Sequence, residues 1–401
     1  MKKLLSLTLL LLLITPCLRA QRKEISQARS YLKSGKDLDK GEKLIMELFS
    51  KDSVNRSNPK LYVLLYEIVR KQYSIGNEKL YLKEKYDTAS LFNLTKRMFT
   101  LAETLDTLDA IPDKKGRVRL EYRRKHAEEL DGYRTNLYNG GIYFLRKADY
   151  EAAYSFLNAY LDCGRQPLFG RYDYFRTDGR MPLAAYWASY SGFKQDNPEK
   201  TLRYYDVARR DTVRLRHLLR YAAEAYAKLG CDSAYVSTLR EGFAKFPKFK
   251  YFFPRLIDYY TANNLLDSAS AVADRALAVD GRDVLFLLAK STILLNSGRN
   301  DACIAMSDSL IHVNDTVPDA YYNAGTAYLN KILNLEDRVG STKKDRTEIK
   351  KMYRLACPYM EKYRELAPDD KVKWAPALYR IYLNLNLGKK FEEVDRILNG
   401  K

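Results

Sequence analysis

The clearest pattern of apolar and polar positions lies in residues 134–162. Leu137 is followed four positions later by Gly141 and then by Phe144, which puts the three on one face of a helix. The polar run 147–149 predicts the end of this helix.

A second helical pattern follows the break. Ala153, Leu157 and Tyr160 are spaced four and three apart, so they also share one face. The small alanine suits a place where two helices approach closely, and the larger residues fill the space beside it. The pattern therefore predicts a helical hairpin of roughly 34 residues.

This order of bulky, small and aromatic positions, followed by a small residue in the second helix, resembles the tetratricopeptide repeat (TPR). Variants of it recur over residues 133–368, with insertions at 163–182 and 331–350. The resemblance implies an all-α fold, a right-handed α-solenoid of stacked helical hairpins forming a TPR-like superhelix.

The segments on either side match the repeat loosely. Residues 21–132 predict degenerate N-terminal hairpins, and residues 369–401 predict C-terminal capping helices. Terminal units of a solenoid have a face that meets water, which explains their departure from the pattern.

The first twenty residues have the layout of a secretory signal peptide. Lys2 and Lys3 precede the apolar run 4–14, which is too short to span a bilayer stably. We expect cleavage after Ala20, export to a bacterial periplasm and no transmembrane segment in the mature chain. A lipid anchor on Cys17 is the less favoured alternative, because proline precedes it.

Cleavage would remove Lys2, Lys3 and Arg19, which lowers the formal net charge from +19 to +16. Export argues against nucleic acid as the reason for this surplus, and leaves anionic lipid, acidic glycan or acidic protein. The densest basic stretch, 112–125, has seven basic residues, and a second lies at 343–351. Each is either a docking patch for an anionic surface or a solvated face.

The insertion at 163–182 combines aromatic rings with guanidinium groups, as binding hot spots do. The same side chains would also serve to hold a long loop on the solenoid. The candidate residues of this loop are Arg171, Tyr172, Tyr174 and Arg176.

No motif indicates catalysis, a metal or a cofactor. The mature chain has four cysteines, Cys163, Cys231, Cys303 and Cys357, at least 54 residues apart and without paired spacing. The three histidines have no carboxylate or cysteine at ligand spacing. We therefore expect a protein that is not an enzyme.

The resemblance implies that the first helices of the hairpins line a concave groove that holds a peptide or a partner helix. Two of the groove positions carry the asparagine typical of TPR carboxylate clamps, and the tyrosines would alternatively pack between helices. The candidate groove residues are Tyr138, Asn139, Arg146, Tyr186, Tyr190, Lys194, Arg220, Lys228, Tyr322 and Asn323.

The sequence thus predicts a non-catalytic periplasmic scaffold or adaptor that binds a protein or peptide through this groove. The alternative is an envelope-associated protein that binds anionic lipid or glycan through its basic patches.

Overall fold

The computed structural model describes residues 21–336 and 342–399, which form helices and contain no strand. The predicted signal peptide, residues 1–20, lies outside the described residues, as do residues 337–341 of the second predicted insertion. The chain divides into two compact units between Cys231 and Asp232. The boundary at residue 132 that the sequence pattern indicates stays a prediction.

Unit 1 contains twelve α helices within its described residues. The first, α1, covers residues 21–34. The others are α2 Leu38–Lys51, α3 Ser53–Arg56, α4 Pro59–Tyr81, α5 Thr88–Asp109, α6 Arg123–Arg146, α7 Tyr150–Asp162, α8 Tyr174–Thr177, α9 Met181–Lys194, α10 Pro198–Leu202, α11 Tyr205–Ala208 and α12 Leu215–Lys228.

Unit 2 contains nine further helices in its described part. They are α13 Asp232–Lys245, α14 Phe252–Ala262, α15 Leu266–Val279, α16 Val284–Asn296, α17 Asn300–Val313, α18 Pro318–Glu336, α19 Lys343–Leu366, α20 Lys371–Leu385 and α21 Gly388–Asn399. In both units a helix packs mainly against its neighbours in the chain, for example α4 on α5 and α18 on α19, as expected of a solenoid.

The predicted central hairpin is formed by α6 and α7. Ala148 takes a left-handed conformation with φ of 57°, which ends α6 at the predicted break. The Asp149 side chain then accepts a 3.0 Å hydrogen bond from the backbone nitrogen of Ala152 and caps α7. At the contact between the helices a Cβ on Gly141 would lie 2.6 Å from Cγ of Leu157, so glycine permits their close approach.

The turns inside four successive hairpins mark the repeat. A residue with positive φ ends the first helix, and Asp196, Gly230, Asn264 and Gly298 follow one another at intervals of 34 residues. This is the repeat length typical of TPR proteins. The period inferred from the apolar pattern is therefore present in the backbone conformation.

The second predicted insertion, 331–350, departs from the sequence pattern. Apart from Thr342, its described residues are helical, because α18 continues to Glu336 and α19 begins at Lys343. Thr342 and Asp345 form a capping box at the start of α19. Residues 198–208 form the two short helices α10 and α11.

Candidate functional site

Helix α9 presents a group of aromatic rings. The ring centre of Trp187 lies 5.0 Å from that of Tyr186 and 5.7 Å from that of Tyr190. Tyr221 of α12 lies 6.2 Å from Tyr186 and 5.8 Å from Tyr190, with tilted ring planes. Tyr190 lies three positions after Trp187 and four after Tyr186, and these spacings bring side chains together on a helix, so the sequence of α9 itself gathers three of the rings.

Arg214 lies beside these rings. Its guanidinium carbon is 5.8 Å from the ring centre of Tyr186 and 5.9 Å from that of Trp187. Burial raises the pKa of Tyr138 on α6, while the positive charges of Arg180 and Arg214 act to lower it. Tyr138 therefore lies within electrostatic reach of Arg214 as well.

We call Tyr138, Tyr186, Trp187, Tyr190 and Tyr221 the aromatic patch. Tyr138, Trp187 and Tyr190 are half-buried, while Tyr186 and Tyr221 are buried beneath them. Burial also raises the pKa of Tyr186, so this hydroxyl stays protonated at neutral pH. The patch thus combines rigid rings that are partly open to solvent with cations at its edge, as protein-binding hot spots do.

Two of the predicted groove cations pair with acidic residues of unit 1. Nε of Arg220 lies 3.0 Å from the Glu224 carboxylate, one helical turn further along α12. Lys228 forms an ion pair with Asp196, in the turn that follows α9. Their charges are therefore partly neutralised within the chain.

The other predicted groove residues of unit 1 lie outside the aromatic patch. Nζ of Lys194 is 5.5 Å from the ring centre of Tyr150, and that ring is in turn 5.8 Å from Tyr190. Asn139 and Arg146 on α6 are exposed. Binding by these residues stays a prediction.

Asn323 and Tyr322 of unit 2 have structural contacts. Asn323 is buried, and its Nδ2 lies 2.8 Å from the Ser291 hydroxyl and 3.0 Å from that of Thr292. The Tyr322 ring packs 5.1 Å from that of Tyr363. The amide that sequence reasoning assigned to a carboxylate clamp therefore joins α18 to α16.

The insertion at 163–182 is held by the buried side chain of Arg134. Its guanidinium carbon lies 3.8 Å from the ring centre of Tyr160 and 3.9 Å from that of Tyr174, so it sits against both rings. It forms an ion pair with Asp178, and its Nε lies 3.0 Å from Sγ of Cys163. Tyr174, one of the four candidate loop residues, is consequently buried.

The two candidate arginines of the insertion are exposed to solvent. Arg171 and Arg176 are exposed and lie 3.7 Å and 2.9 Å from the carboxylates of Glu128 and Asp173. Tyr172 is half-buried. The insertion therefore has a structural inner side and an outer side on which recognition stays a prediction.

Burial shifts the pKa values of two titratable groups of unit 1 strongly. Burial raises the pKa of Glu103 to about 7, with a further contribution from the charge of Asp162. Burial also raises the pKa of the Cys163 thiol to about 12, so it is protonated at neutral pH and a poor nucleophile. No cluster of three metal-ligating side chains occurs among residues 21–336 and 342–399.

No protein-family model matches the chain, and no curated protein matches it. Solved structures with a similar fold include YrrB, a TPR protein with an unusual peptide-binding site (16% identity, 49% of this chain, 91% of YrrB, TM-score 0.36). The C-terminal part of a TPR repeat-containing protein from Cytophaga hutchinsonii is similar over 64% of this chain and 92% of its own (10% identity, TM-score 0.43). A TPR repeats protein from Bacteroides fragilis matches 66% of this chain and 98% of its own, with 14% identity and a TM-score of 0.31.

These three structures are TPR proteins, and the TPR is the repeat that the sequence of this chain resembles. Among the described helices, none has the length and apolar character needed to cross a membrane.

Proposed function

We propose that this chain is a non-catalytic scaffold that binds an extended segment of a partner protein at the aromatic patch. The observation that carries the proposal is the half-buried state of Trp187 and Tyr190, with the guanidinium of Arg214 beside Trp187. Tryptophan, tyrosine and arginine are the residues on which binding energy concentrates at protein interfaces.

The surroundings of the patch favour an extended peptide. Its rings come from α6, α9 and α12, so a ligand that covers them spans several successive elements of unit 1. The ion pairs of Arg220 and Lys228 reduce the charge available to a ligand, which leaves the rings as the main source of binding energy.

Replacement of Trp187 by alanine tests this proposal. Peptides selected from a random display library on the chain lacking residues 1–20 should bind the Trp187→Ala variant at least about 30-fold more weakly, as expected of a hot spot worth 2 kcal/mol. Tyr190→Ala should weaken the same peptides. Fluorescence polarisation with labelled peptides measures both affinities.

The matched control is Tyr81→Ala, because Tyr81 is an aromatic residue that is 84% exposed and lies outside the patch. The control should bind the selected peptides like the wild type. If alanine substitutions at Trp187, Tyr190 and Tyr138 left the affinity for the selected peptides unchanged, the proposed location of the site would be refuted.

We further propose that the protein acts in the periplasm after removal of residues 1–20. The lysines and apolar run of this segment support export. Cell fractionation and N-terminal sequencing of the purified protein test the location. A protein that is found in the cytoplasm and still begins at Met1 would contradict the proposal.

A second candidate function rests on the loop between α5 and α6, which we call the basic loop (residues 110–122). Residues 111–121 are all exposed, including the aliphatic side chains of Ile111 (62%) and Val118 (49%). Asp113 accepts hydrogen bonds from the backbone nitrogens of Lys115 (2.8 Å) and Arg117 (3.0 Å), which orders the tip. Exposed aliphatic residues among cations favour an anionic lipid surface over a glycan.

Charge reversal at Lys114 and Lys115 tests this alternative. Each lysine near an anionic bilayer contributes about 1 kcal/mol, so the double glutamate variant should bind phosphatidylglycerol vesicles at least about tenfold more weakly. Co-sedimentation at low and high salt measures the binding. The control is charge reversal at the exposed Lys350 and Lys351 on α19, and equal losses in both variants would show that the basic loop has no special role.

A further inference from the structure

The helices that carry the aromatic patch contain almost no acidic residue. Residues 132–146 of α6 and all residues of α9 lack aspartate and glutamate, and α12 contains only Glu224. The carboxylate of Glu224 already lies 3.0 Å from Nε of Arg220. In these three described helix segments, therefore, no carboxylate is left without a cation.

Acidic residues of the turns and the insertion near the patch are also engaged within the chain. Three aspartates each pair with a basic residue, and the pairs are Asp178 with Arg134, Asp196 with Lys228 and Asp211 with Arg214. Asp149, in the turn between α6 and α7, caps α7 through the backbone of Ala152. The negative charges around the patch are thus already in use.

Arg180 is a cation near the patch without such a partner. Its side chain is exposed, and its Nη1 lies 3.5 Å from Oγ1 of Thr135. Thr135 precedes Tyr138 by three residues on α6, so the two share a helix face. Among residues 21–336 and 342–399, no carboxylate forms an ion pair with Arg180.

Lys194 is a second cation of this kind. It is exposed and follows Tyr190 by four residues on α9, on the same helix face. Its Nζ lies 5.5 Å from the ring centre of Tyr150, which in turn is 5.8 Å from that of Tyr190. It too forms no ion pair within the described part of the chain.

These two cations lie towards opposite ends of the patch. Arg180 contacts Thr135 near the middle of α6, whereas Lys194 lies beside Tyr150, just after α6 ends at Arg146. At about 1.5 Å per residue, Thr135 and Arg146 are roughly 16 Å apart along the helix axis. An extended chain covers this length with about five residues.

We propose that the partner segment bound at the aromatic patch is acidic, with carboxylates about five residues apart that pair with Arg180 and Lys194. Apolar side chains between these carboxylates contact Trp187 and Tyr190. This inference rests on the proposed function and names the chemistry of its partner. Exposed ion pairs are weak, so the rings supply most of the affinity and the charges select the segment.

The experiment starts from random peptides displayed on phage and selected on the chain lacking residues 1–20. The selected peptides should be enriched in aspartate and glutamate relative to the unselected library. The tightest peptide that Trp187→Ala weakens is then synthesised with both ends blocked. An analogue with asparagine and glutamine in place of its acidic residues should bind the wild type about tenfold more weakly. High salt should weaken only the acidic peptide.

The double variant Arg180→Gln/Lys194→Gln locates this effect on the protein. It should bind the acidic peptide about tenfold more weakly and the neutral analogue like the wild type, since the charges on the two sides are then coupled. Arg29→Gln/Lys33→Gln is the matched control, because both residues are exposed on α1 and the net charge changes equally. The control should bind both peptides like the wild type.

The outcomes separate this inference from the proposed function. Selected peptides that depend on Trp187 but show no excess of acidic residues would overturn the acidic partner and leave the aromatic patch in place. An unchanged affinity of the double variant, an equal loss in the control, or binding that requires a free C-terminal carboxylate would do the same. Peptides that bind independently of Trp187 would overturn both proposals.

Discussion

Replacing Arg134 by methionine should destabilise unit 1 by about 3–5 kcal/mol, the cost of removing one partner from a buried ion pair. The guanidinium of Arg134 is buried against Tyr160 and Tyr174 and pairs with Asp178. Methionine fills much of the same volume but leaves the Asp178 carboxylate without its cation. Chemical denaturation followed by circular dichroism measures the loss.

The pH dependence of this loss separates charge from packing. Burial alone would raise the pKa of Asp178, but hydrogen bonds from Tyr160 and Arg134 outweigh it and hold the pKa below the ordinary value. The ion pair therefore stabilises the fold at neutral pH, and its contribution disappears as the pH falls below about 4 and the carboxylate gains a proton. The difference between wild type and variant should shrink in acid.

Two variants serve as controls. The double variant Arg134→Met/Asp178→Asn has no unpaired charge and should recover part of the lost stability. Arg124→Met removes an arginine whose side chain is 79% exposed and paired with Glu128, and should cost no more than about 1 kcal/mol. Equal effects at Arg134 and Arg124 would contradict the structural role of the buried pair.

The hairpins could be predicted from the sequence because they depend on local spacing. Leu137 and Gly141 share a face by helical periodicity alone, and the polar run after Arg146 coincides with the turn at Ala148. The repeat length follows from the same spacing. Neither requires knowledge of how one hairpin packs on the next.

The roles of individual polar residues could not be predicted, because they depend on partners far away in the chain. Asn323 occupies a position typical of a carboxylate clamp, yet its amide binds hydroxyls of the preceding first helix, about one repeat earlier. Arg134 opens the most regular segment of the sequence, and only the folded chain shows that it holds the insertion. Helical spacing shows which residues share a face of a helix, but it does not show which other part of the chain packs against that face.

The aromatic patch was predicted in part for the same reason. Tyr186 and Tyr190 could be selected from one helix, whereas Tyr221 and Arg214 join them only because α12 packs beside α9. The sequence signal for Tyr221 was its place next to Arg220, a candidate groove residue. That Tyr221 points towards α9 could not be predicted, because this depends on how α12 is rotated relative to α9.

The packing between α9 and α10 gives a second prediction with a large effect. A Cβ on Gly192 would lie 2.5 Å from the backbone nitrogen of Thr201 and 2.7 Å from the carbonyl carbon of Lys200. Backbone atoms cannot move aside as a flexible side chain can, so Gly192→Ala should destabilise unit 1 by about 2–3 kcal/mol. Chemical denaturation of the variant and of the wild type measures the difference.

Gly132 on α6 provides the matched control for this substitution. No heavy atom lies within 4 Å of its Cβ position, so the same change adds a methyl group to open space. Because alanine favours the helix over glycine by up to about 1 kcal/mol, Gly132→Ala should leave stability equal or higher. Opposite signs for the two variants would establish that α10 lies directly against Gly192, whereas a gain at both positions would show that the two helices are further apart.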